Sequence, residues 1–449
     1  MLVFLLYLAY NIIERTDFMK RLVKEKLLHW KNSNNRKPLI IYGARQIGKT
    51  YTVLDFGKTE YDNVLYCNFE NDKELHKLFE RNLNPERIIE GLKAYFSVSI
   101  IKEKTLIFFD EIQACEAALT SLKYFNEDAN DYHIVAAGSL LGLAINRGSY
   151  SFPVGKVDMI NMYPMDFEEF LLATNNEGIR DMIVESYNSM SPILLHDKAL
   201  DLYRTYLVVG GYPQAVKTFI ETGDINLVRS EQTSISNAYI SDMTKYATPA
   251  ETVKSIEIYN SIFSQLGKET TKFQYSVVSS KARSKTYDIA LSWLKASNVV
   301  LNCTLTTDGY YPLTATEDLQ TFKIYYCDIG LLTLKGAMIP GKIIENIDIS
   351  DKVRGMMAES YVASQLTSNG FKLYYWNSNN TSELDFVIHF NGEAIPIEVK
   401  SSDNVRAKSL KTYISKYNPK YSIKISSKNF GFENNIKSIP LYAVFCIKE

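Results

Sequence analysis

Between residues 36 and 165 short apolar runs alternate with helix-compatible stretches: Pro38 to Tyr42, Val64 to Phe69, Thr105 to Phe109, His133 to Ala137 and Val157 to Met162. Runs this short and this apolar fit strands buried on both faces, and strands separated by helices predict a parallel sheet wrapped by helices. From Asp166 the pattern turns helical, broken by Gly210-Gly211-Tyr212-Pro213, which predicts a helical subdomain over residues 166–250. Residues 251–340 read as helices, including Ser284 to Ala296, followed by Asn298-Val299-Val300-Leu301, a loop at Thr307-Asp308-Gly309 and Lys323-Ile324-Tyr325-Tyr326. Helices and then a small hairpin predict a winged-helix-like region. The charged stretch from Lys335 to Lys352 reads as a link to a final domain, residues 341–449. There, Glu383 to Phe390 and Glu393 to Lys400 flank Asn391-Gly392, a strong signal for a two-residue hairpin.

The first 35 residues stand apart. Met1 to Ile13 is almost wholly apolar but stops at Glu14, short of the roughly 20 residues a bilayer span needs, and no basic leader precedes it. Neither a membrane span nor a signal peptide is expected. Met19-Lys20-Arg21-Leu22 opens an amphipathic helix through Trp30, so the segment before it reflects either a start codon placed upstream or a membrane-surface or packing element.

The chemistry begins where the first apolar run meets its helix. Gly43-Ala44-Arg45-Gln46-Ile47-Gly48-Lys49-Thr50, with Tyr51 next, has the spelling of a phosphate-binding P-loop in the right context. The glycines let backbone N–H groups curl round a phosphate, Lys49 reaches the β/γ oxygens, and the Thr50 hydroxyl ligates Mg²⁺ at the positive end of the helix. ATP and Mg²⁺ are therefore the expected cofactors. A second run, Thr105 to Phe109, ends in Asp110-Glu111 at the strand end where ligands sit in open parallel sheets. Asp110 is placed to hold the metal through its water shell, and Glu111 to polarise an attacking water. A third, His133 to Ala137, ends in Gly138-Ser139, making Ser139 either a γ-phosphate sensor or a simple strand-end turn. Arg147 and Lys156 follow on a loop, placed to reach a phosphate or to stay solvated.

Composition narrows the alternatives. Fifty basic residues face 51 acidic ones, which excludes a protein held on nucleic acid by bulk charge, although a local patch such as Lys281, Arg283 and Lys285 at the start of the candidate recognition helix is compatible with DNA contact or with mere packing. With 31 Tyr, 22 Phe and 46% hydrophobic residues the chain can build cores over two or three domains. The five cysteines, 67, 115, 303, 327 and 446, show no C-x-x-C spacing, so neither disulfides nor a zinc site is indicated and a reducing cytoplasm fits. Cys67, Cys327 and Cys446 lie in apolar, strand-like runs.

The two-residue hairpin loop sets a register. Phe390 pairs with Glu393, Ile388 with Ile395, Phe386 with Ile397, and Asp385 falls across from Glu398. Acid facing acid is unfavourable unless a cation lies between. Asp, then Glu-x-Lys on the adjoining strand, is the arrangement of a Mg²⁺-dependent nuclease, with Asp385 and Glu398 holding the metal and Lys400 orienting water. Glu359, on the helix-like run Val353 to Leu366, would add a ligand. The plainer reading has Lys400 bridging Glu383 and Glu398 on a solvent-facing sheet.

Taken together, the P-loop, Phe109-Asp110-Glu111-Ile112-Gln113, Gly138-Ser139, Tyr163-Pro164-Met165-Asp166-Phe167, Gly210-Gly211-Tyr212-Pro213, Tyr239 with Asp242, Asp328-Ile329-Gly330-Leu331, Glu359, Glu383-Leu384-Asp385-Phe386 and Ile397-Glu398-Val399-Lys400 resemble prokaryotic AAA-superfamily ATPases whose C-terminal domain of unknown function contains a PD-(D/E)XK nuclease-like fold. The resemblance implies an α/β chain with five parts: an N-terminal segment and helix (1–35), a P-loop ATPase core (36–165), a helical subdomain (166–250), a winged-helix-like region (251–340) and a nuclease-like domain (341–449). Two departures stand out: Ala44 replaces the usual proline, at a position that contributes backbone only, and Lys156 replaces an arginine, which puts a bidentate role there in doubt. The expected function is a Mg²⁺-dependent ATPase coupled to a nuclease-like, DNA-contacting C-terminal domain, with a homo-oligomer as a candidate assembly. The alternative is a nucleotide-gated regulatory module with an inactive nuclease-like scaffold.

Overall fold

The computed structural model describes residues 19–139, 152–246, 248–378, 382–401 and 408–448. The N-terminal apolar segment before Met19 and Arg147 lie outside the described residues.

Five strands, β1 (Leu39–Tyr42), β2 (Asn63–Asn68), β3 (Thr105–Asp110), β4 (His133–Gly138) and β5 (Asp158–Asn161), form one parallel sheet in the order β2-β3-β4-β1-β5. Every residue of β3 and β4 is buried, as their uninterrupted apolar spelling requires. Each predicted run became a strand, and the order puts β4 between β1 and β3. The carboxyl ends of those three strands, carrying the P-loop, Ser139 and Asp110, therefore open side by side.

After β5 the chain is helical, with helices Phe167–Ala173, Glu177–Ser189, His196–Val209, Pro213–Thr222 and Ile225–Tyr246. Asp166 caps the first through a capping box with Glu169, and Pro213 starts the fourth at a position where its missing N–H costs nothing. Gly211 has to be glycine for space: a Cβ there would lie 2.0 Å from the Met165 carbonyl oxygen.

The C-terminal sheet corrects two boundaries read from the sequence. Its eight strands run in the order β12-β13-β11-β10-β9-β8-β6-β7. The hairpin read as a wing is β6 (Val300–Thr306) with β7 (Glu317–Tyr326), and β6 pairs in parallel with β8 (Leu373–Asn377), so residues 251–340 and 341–449 share one sheet. Apolar alternation marked the hairpin, but strand pairing across the chain left no local trace. The stretch from Lys335 to Lys352 is likewise no free linker: helix Pro340–Glu345 buries Ile343 against helix His196–Val209. One continuous apolar core runs from Leu27 and the P-loop helix through the helical subdomain to Ile447. Cys446 ends a short 3-10 helix, Leu441–Cys446, rather than a strand.

The remaining strands are β9 (Glu383–Phe390), β10 (Glu393–Val399), β11 (Ser422–Ser426), β12 (Gly431–Glu433) and β13 (Ile436–Pro440). Helix Asp351–Ser368 lies against β6, β7, β8 and β10. The β9–β10 hairpin has the register deduced from Asn391-Gly392, with Ile388 opposite Ile395 and Phe386 opposite Ile397.

Candidate functional site

The P-loop is wrapped as its glycines permit. Gly43 takes φ +145°, and a Cβ there would lie 2.1 Å from the Met162 carbonyl oxygen; Gly48, at φ +88°, turns the chain into helix Lys49–Glu60. Lys49 is buried and donates to the carbonyls of Gly43 at 2.9 Å and Ala44 at 2.7 Å. Its ammonium is pushed down to about 8 by burial, against the opposing pull of Glu111 and Asp110. Ala44 thus serves through its backbone alone.

Asp110 ends β3 within reach of the loop. The Thr50 hydroxyl donates to its Oδ2 at 2.9 Å and the Tyr66 hydroxyl to the same oxygen at 3.0 Å. Glu111 sits next to it at φ +49°, a left-handed conformation that a residue with a side chain adopts at a cost, and Gln113 Nε2 holds its Oε2 at 2.5 Å. Arg45 donates through Nε to Ser139 Oγ at 3.2 Å, so the loop, the β3 acids and the β4 hydroxyl share one surface. Lys156 points elsewhere: it is ion-paired at 2.8 Å with Glu127.

Three further side chains bind this loop to the rest of the fold. Arg21 is buried and reaches the Ile47 carbonyl, the Tyr163 carbonyl at 2.8 Å and Glu169 at 3.0 Å. Asp242, on helix Ile225–Tyr246, is ion-paired with Arg45 at 2.6 Å, and Tyr239 on the same helix donates to the Arg45 carbonyl at 3.1 Å. Tyr239 also shares a hydrogen bond with Tyr212 at 2.6 Å, and Tyr212 lies 3.4 Å from Cys327 Sγ at the end of β7. Beside Cys327, Asp328 accepts the Gly211 N–H at 2.7 Å, and burial pushes its carboxyl up to about 6 despite those donors. No feature of the sequence marks Arg21 as more than one basic residue opening a helix. Gln113, Tyr239 and Asp242 were legible only as motif positions without a task. A cavity of about 250 Å³ borders the loop, lined by Gly48, Tyr51, Thr52, Pro213, Lys217 and Ile220.

The carboxylates of the C-terminal sheet also lie close together, although not as a facing pair. The β9–β10 ladder stops at Phe386–Ile397, and two residues of β8 are set against three of β9, the signature of a bulge. Asp385 turns its carboxylate back onto the Val399 N–H at 2.7 Å. Burial, then Glu398 and Glu359, push its carboxyl up to about 8. Glu398 is buried and raised for the same first reason; its Oε1 lies 2.5 Å from Lys400 Nζ, while its Oε2 is buried with no hydrogen-bond partner.

Glu359 is engaged differently from the expectation. Its Oε1 accepts Lys323 Nζ at 2.9 Å and the Tyr325 hydroxyl at 2.5 Å, and Lys323 also pairs with Glu383 at 2.8 Å. Lys323 is 1% exposed, and its ammonium stays above the ordinary lysine range because Glu359, Glu383 and Asp385 outweigh burial. Lys400 therefore does not bridge Glu383 and Glu398, since Lys323 takes Glu383. The signal was present: Lys323 is the single charge in the run Phe322 to Tyr326. Among the described residues no group of three or more His, Cys, Asp and Glu side chains could hold a metal ion. Asp385 and Glu398 alone nonetheless suit a Mg²⁺ that keeps most of its waters, and the orphaned Glu398 Oε2 fits such an ion.

Comparison with known proteins gives three matched stretches. Residues 35–171 match the model of an AAA domain, residues 200–338 a domain of unknown function (DUF8612) and residues 354–444 another (DUF4143). An uncharacterized protein of Methanocaldococcus jannaschii is 27% identical over 184 residues, 38% of this chain and 35% of that protein, so the chain spans about a third of this relative's length. Among solved structures, the chain is similar to Aeropyrum pernix ORC2 in its ADPNP-ADP complexes (TM-score 0.39, 14% identity, 75% of this chain and 94% of that one). It is also similar to Aeropyrum pernix ORC1 in complex with DNA (TM-score 0.31, 11% identity, 72% and 90%). Those scores are too low to carry an argument. The AAA match and the five-stranded parallel sheet together support an ATP-binding P-loop ATPase. No helix among the described residues is long and apolar enough to cross a membrane.

Proposed function

We propose that this chain is a Mg²⁺-dependent ATPase whose nucleotide state is passed through the helical subdomain to a nuclease-like site in the C-terminal sheet. The observation that carries the ATPase half is the contact between Thr50 and Asp110, which joins the P-loop to the strand-end acid. Lys49 would exchange the carbonyls of Gly43 and Ala44 for phosphate oxygens, and its wrapped loop supplies N–H groups to the same phosphates. Thr50 and Asp110 would hold Mg²⁺, which when bound neutralises charge on the β- and γ-phosphates. Glu111, steadied by Gln113, would orient the attacking water, and Ser139, which accepts from Arg45, would sense the γ-phosphate. The cavity beside Tyr51 and Pro213 suits the nucleoside.

Coupling is supported by the chain of contacts from Arg45 through Asp242, Tyr239 and Tyr212 to Cys327, which closes β7. A phosphate drawing Arg45 away from Asp242 would disturb that chain at its first link. At the far end, Asp385, Glu398 and Lys400 would bind a divalent ion and position water for phosphodiester cleavage. DNA is the proposed substrate, with Lys281, Arg283 and Lys285 exposed at the start of helix Ser284–Ala296 as further contacts. The decisive measurements are ATP turnover, lost in Lys49→Ala, and metal-dependent nicking, lost in Asp385→Ala; absence of nicking on any DNA or RNA would remove the nuclease half.

A second reading is a nucleotide-gated binding module without cleavage. The tie of Glu359 to Lys323 and Tyr325 favours it, because the third carboxylate is then spent on structure. Metal titration of the full chain separates the two: Mg²⁺ or Mn²⁺ affinity lost in Asp385→Ala supports cleavage, and no affinity supports the module.

A further inference from the structure

A second cleft, outside both sites, lies between helix His196–Val209 and helix Asp351–Ser368. Its volume is about 550 Å³, and its polar lining includes His196, Asp197, Arg204, Asn346, Arg354 and Ser401. Two guanidiniums and an imidazole thus face a single carboxylate. Arg354 donates to the Asn346 carbonyl at 3.2 Å and lies 3.5 Å from Asp351, yet its Nε is buried with no hydrogen-bond partner among the described residues. Arg204 is paired with the exposed Asp201. A buried guanidinium N–H left over is costly unless an acceptor arrives, and a planar fork of this kind prefers the paired oxygens of a phosphate or carboxylate.

The cleft adjoins the acidic cluster through the backbone. Ser401 follows Lys400 and Ala358, also in the lining, precedes Glu359, so each wall is about 3.8 Å in Cα distance from a member of the cluster. The Lys400 N–H donates to the Ile425 carbonyl at 2.8 Å, tying β10 to β11, whose Lys424 stands in register with Glu398.

We propose that this cleft takes the phosphodiester backbone of a single nucleic-acid strand, anchored by Arg204 and Arg354, and leads it onto Asp385, Glu398 and Lys400. This rests on the nuclease-like reading of those three residues and adds its substrate: one strand. The volume suits one or two nucleotides of a strand.

The test uses the full chain in chelator, so that nothing is cut, with a labelled single-stranded oligonucleotide of about 16 residues read by fluorescence anisotropy. Arg204→Ala with Arg354→Ala should weaken binding at least about tenfold and flatten its salt dependence, Arg204→Lys with Arg354→Lys should recover part of the loss, and Asp385→Asn should bind at least as tightly as wild type. Unchanged thermal midpoints establish that the variants fold; should the alanine pair unfold, the lysine pair alone decides, since it keeps charge but loses the fork. Equal binding by wild type and the arginine variants overturns the proposal, as does equal competition by a duplex. The readings come apart in the cleavage assay. Cutting that survives the arginine changes but not Asp385→Asn defeats the cleft alone, and strand binding through the arginines with no cutting by any form upholds the cleft and defeats cleavage.

Discussion

Arg45 of the P-loop and Asp242 of the helical subdomain are ion-paired at 2.6 Å, with the Asp242 side chain 6% exposed and that of Arg45 24%. The one arginine between the P-loop glycines Gly43 and Gly48 is thereby committed, in this conformation, to an acid on a helix that also touches it through Tyr239. Asp242→Asn removes the charge while keeping the shape. It should cost about 1–3 kcal/mol, read by chemical denaturation, because a partly buried guanidinium loses its counter-charge. The same change should uncouple nucleotide from the C-terminal half: hydrogen exchange in β7 should respond to ATP in the wild type and not in the variant. Identical responses would remove the relay through Tyr239 and Tyr212.

Lys49→Ala should lower ATP turnover by at least about 10²-fold, since its buried ammonium lies inside the loop against the Gly43 and Ala44 carbonyls. Asp110→Asn should leave ATP binding in place while weakening the Mg²⁺ dependence of turnover, and isothermal titration against turnover separates the two effects. Turnover indifferent to both changes would mean that hydrolysis, where observed, comes from elsewhere.

Asp385 makes stability depend on pH in a defined sense. Its folded carboxyl is pushed up to about 8, whereas an unfolded aspartate titrates near 3.9. Between those values the folded chain holds a proton that the unfolded chain has released, so the contribution is present on the acid side and lost as pH rises through about 8. Asp385→Asn cannot titrate, and its stability relative to wild type should therefore grow over that window and level off above it. Mg²⁺ or Mn²⁺ affinity of the wild type should rise over the same window, because the ion needs the carboxylate. Parallel pH profiles for variant and wild type would show that Asp385 does not carry the shift.

Lys323→Met should destabilise the chain by about 1–3 kcal/mol, the cost of leaving Glu359 and the partly exposed Glu383 without their buried cation. Adding Glu359→Gln to it should restore part of the loss, a non-additivity that a double-mutant cycle measures. Additive losses would mean that the two residues do not act as a pair.

The sequence by itself determined the parallel sheet, the P-loop on β1, the acids ending β3, the hydroxyl ending β4 and the β9–β10 register. Each is a local matter: an uninterrupted apolar run, a glycine spacing or a two-residue turn constrains neighbours along the chain, and neighbours along the chain are what a sequence displays. Tertiary structure alone decided that β6 joins β8, that the Lys335 to Lys352 stretch packs down, that Lys323 takes Glu359 and Glu383, and that Arg21 and Asp242 hold the P-loop. Those contacts join residues far apart in the chain, where one lysine or aspartate among 101 ionisable Lys, Arg, Asp and Glu residues looks like any other until the core around it excludes water. Burial then selects the partner, because an ionised group without one is too costly to keep inside.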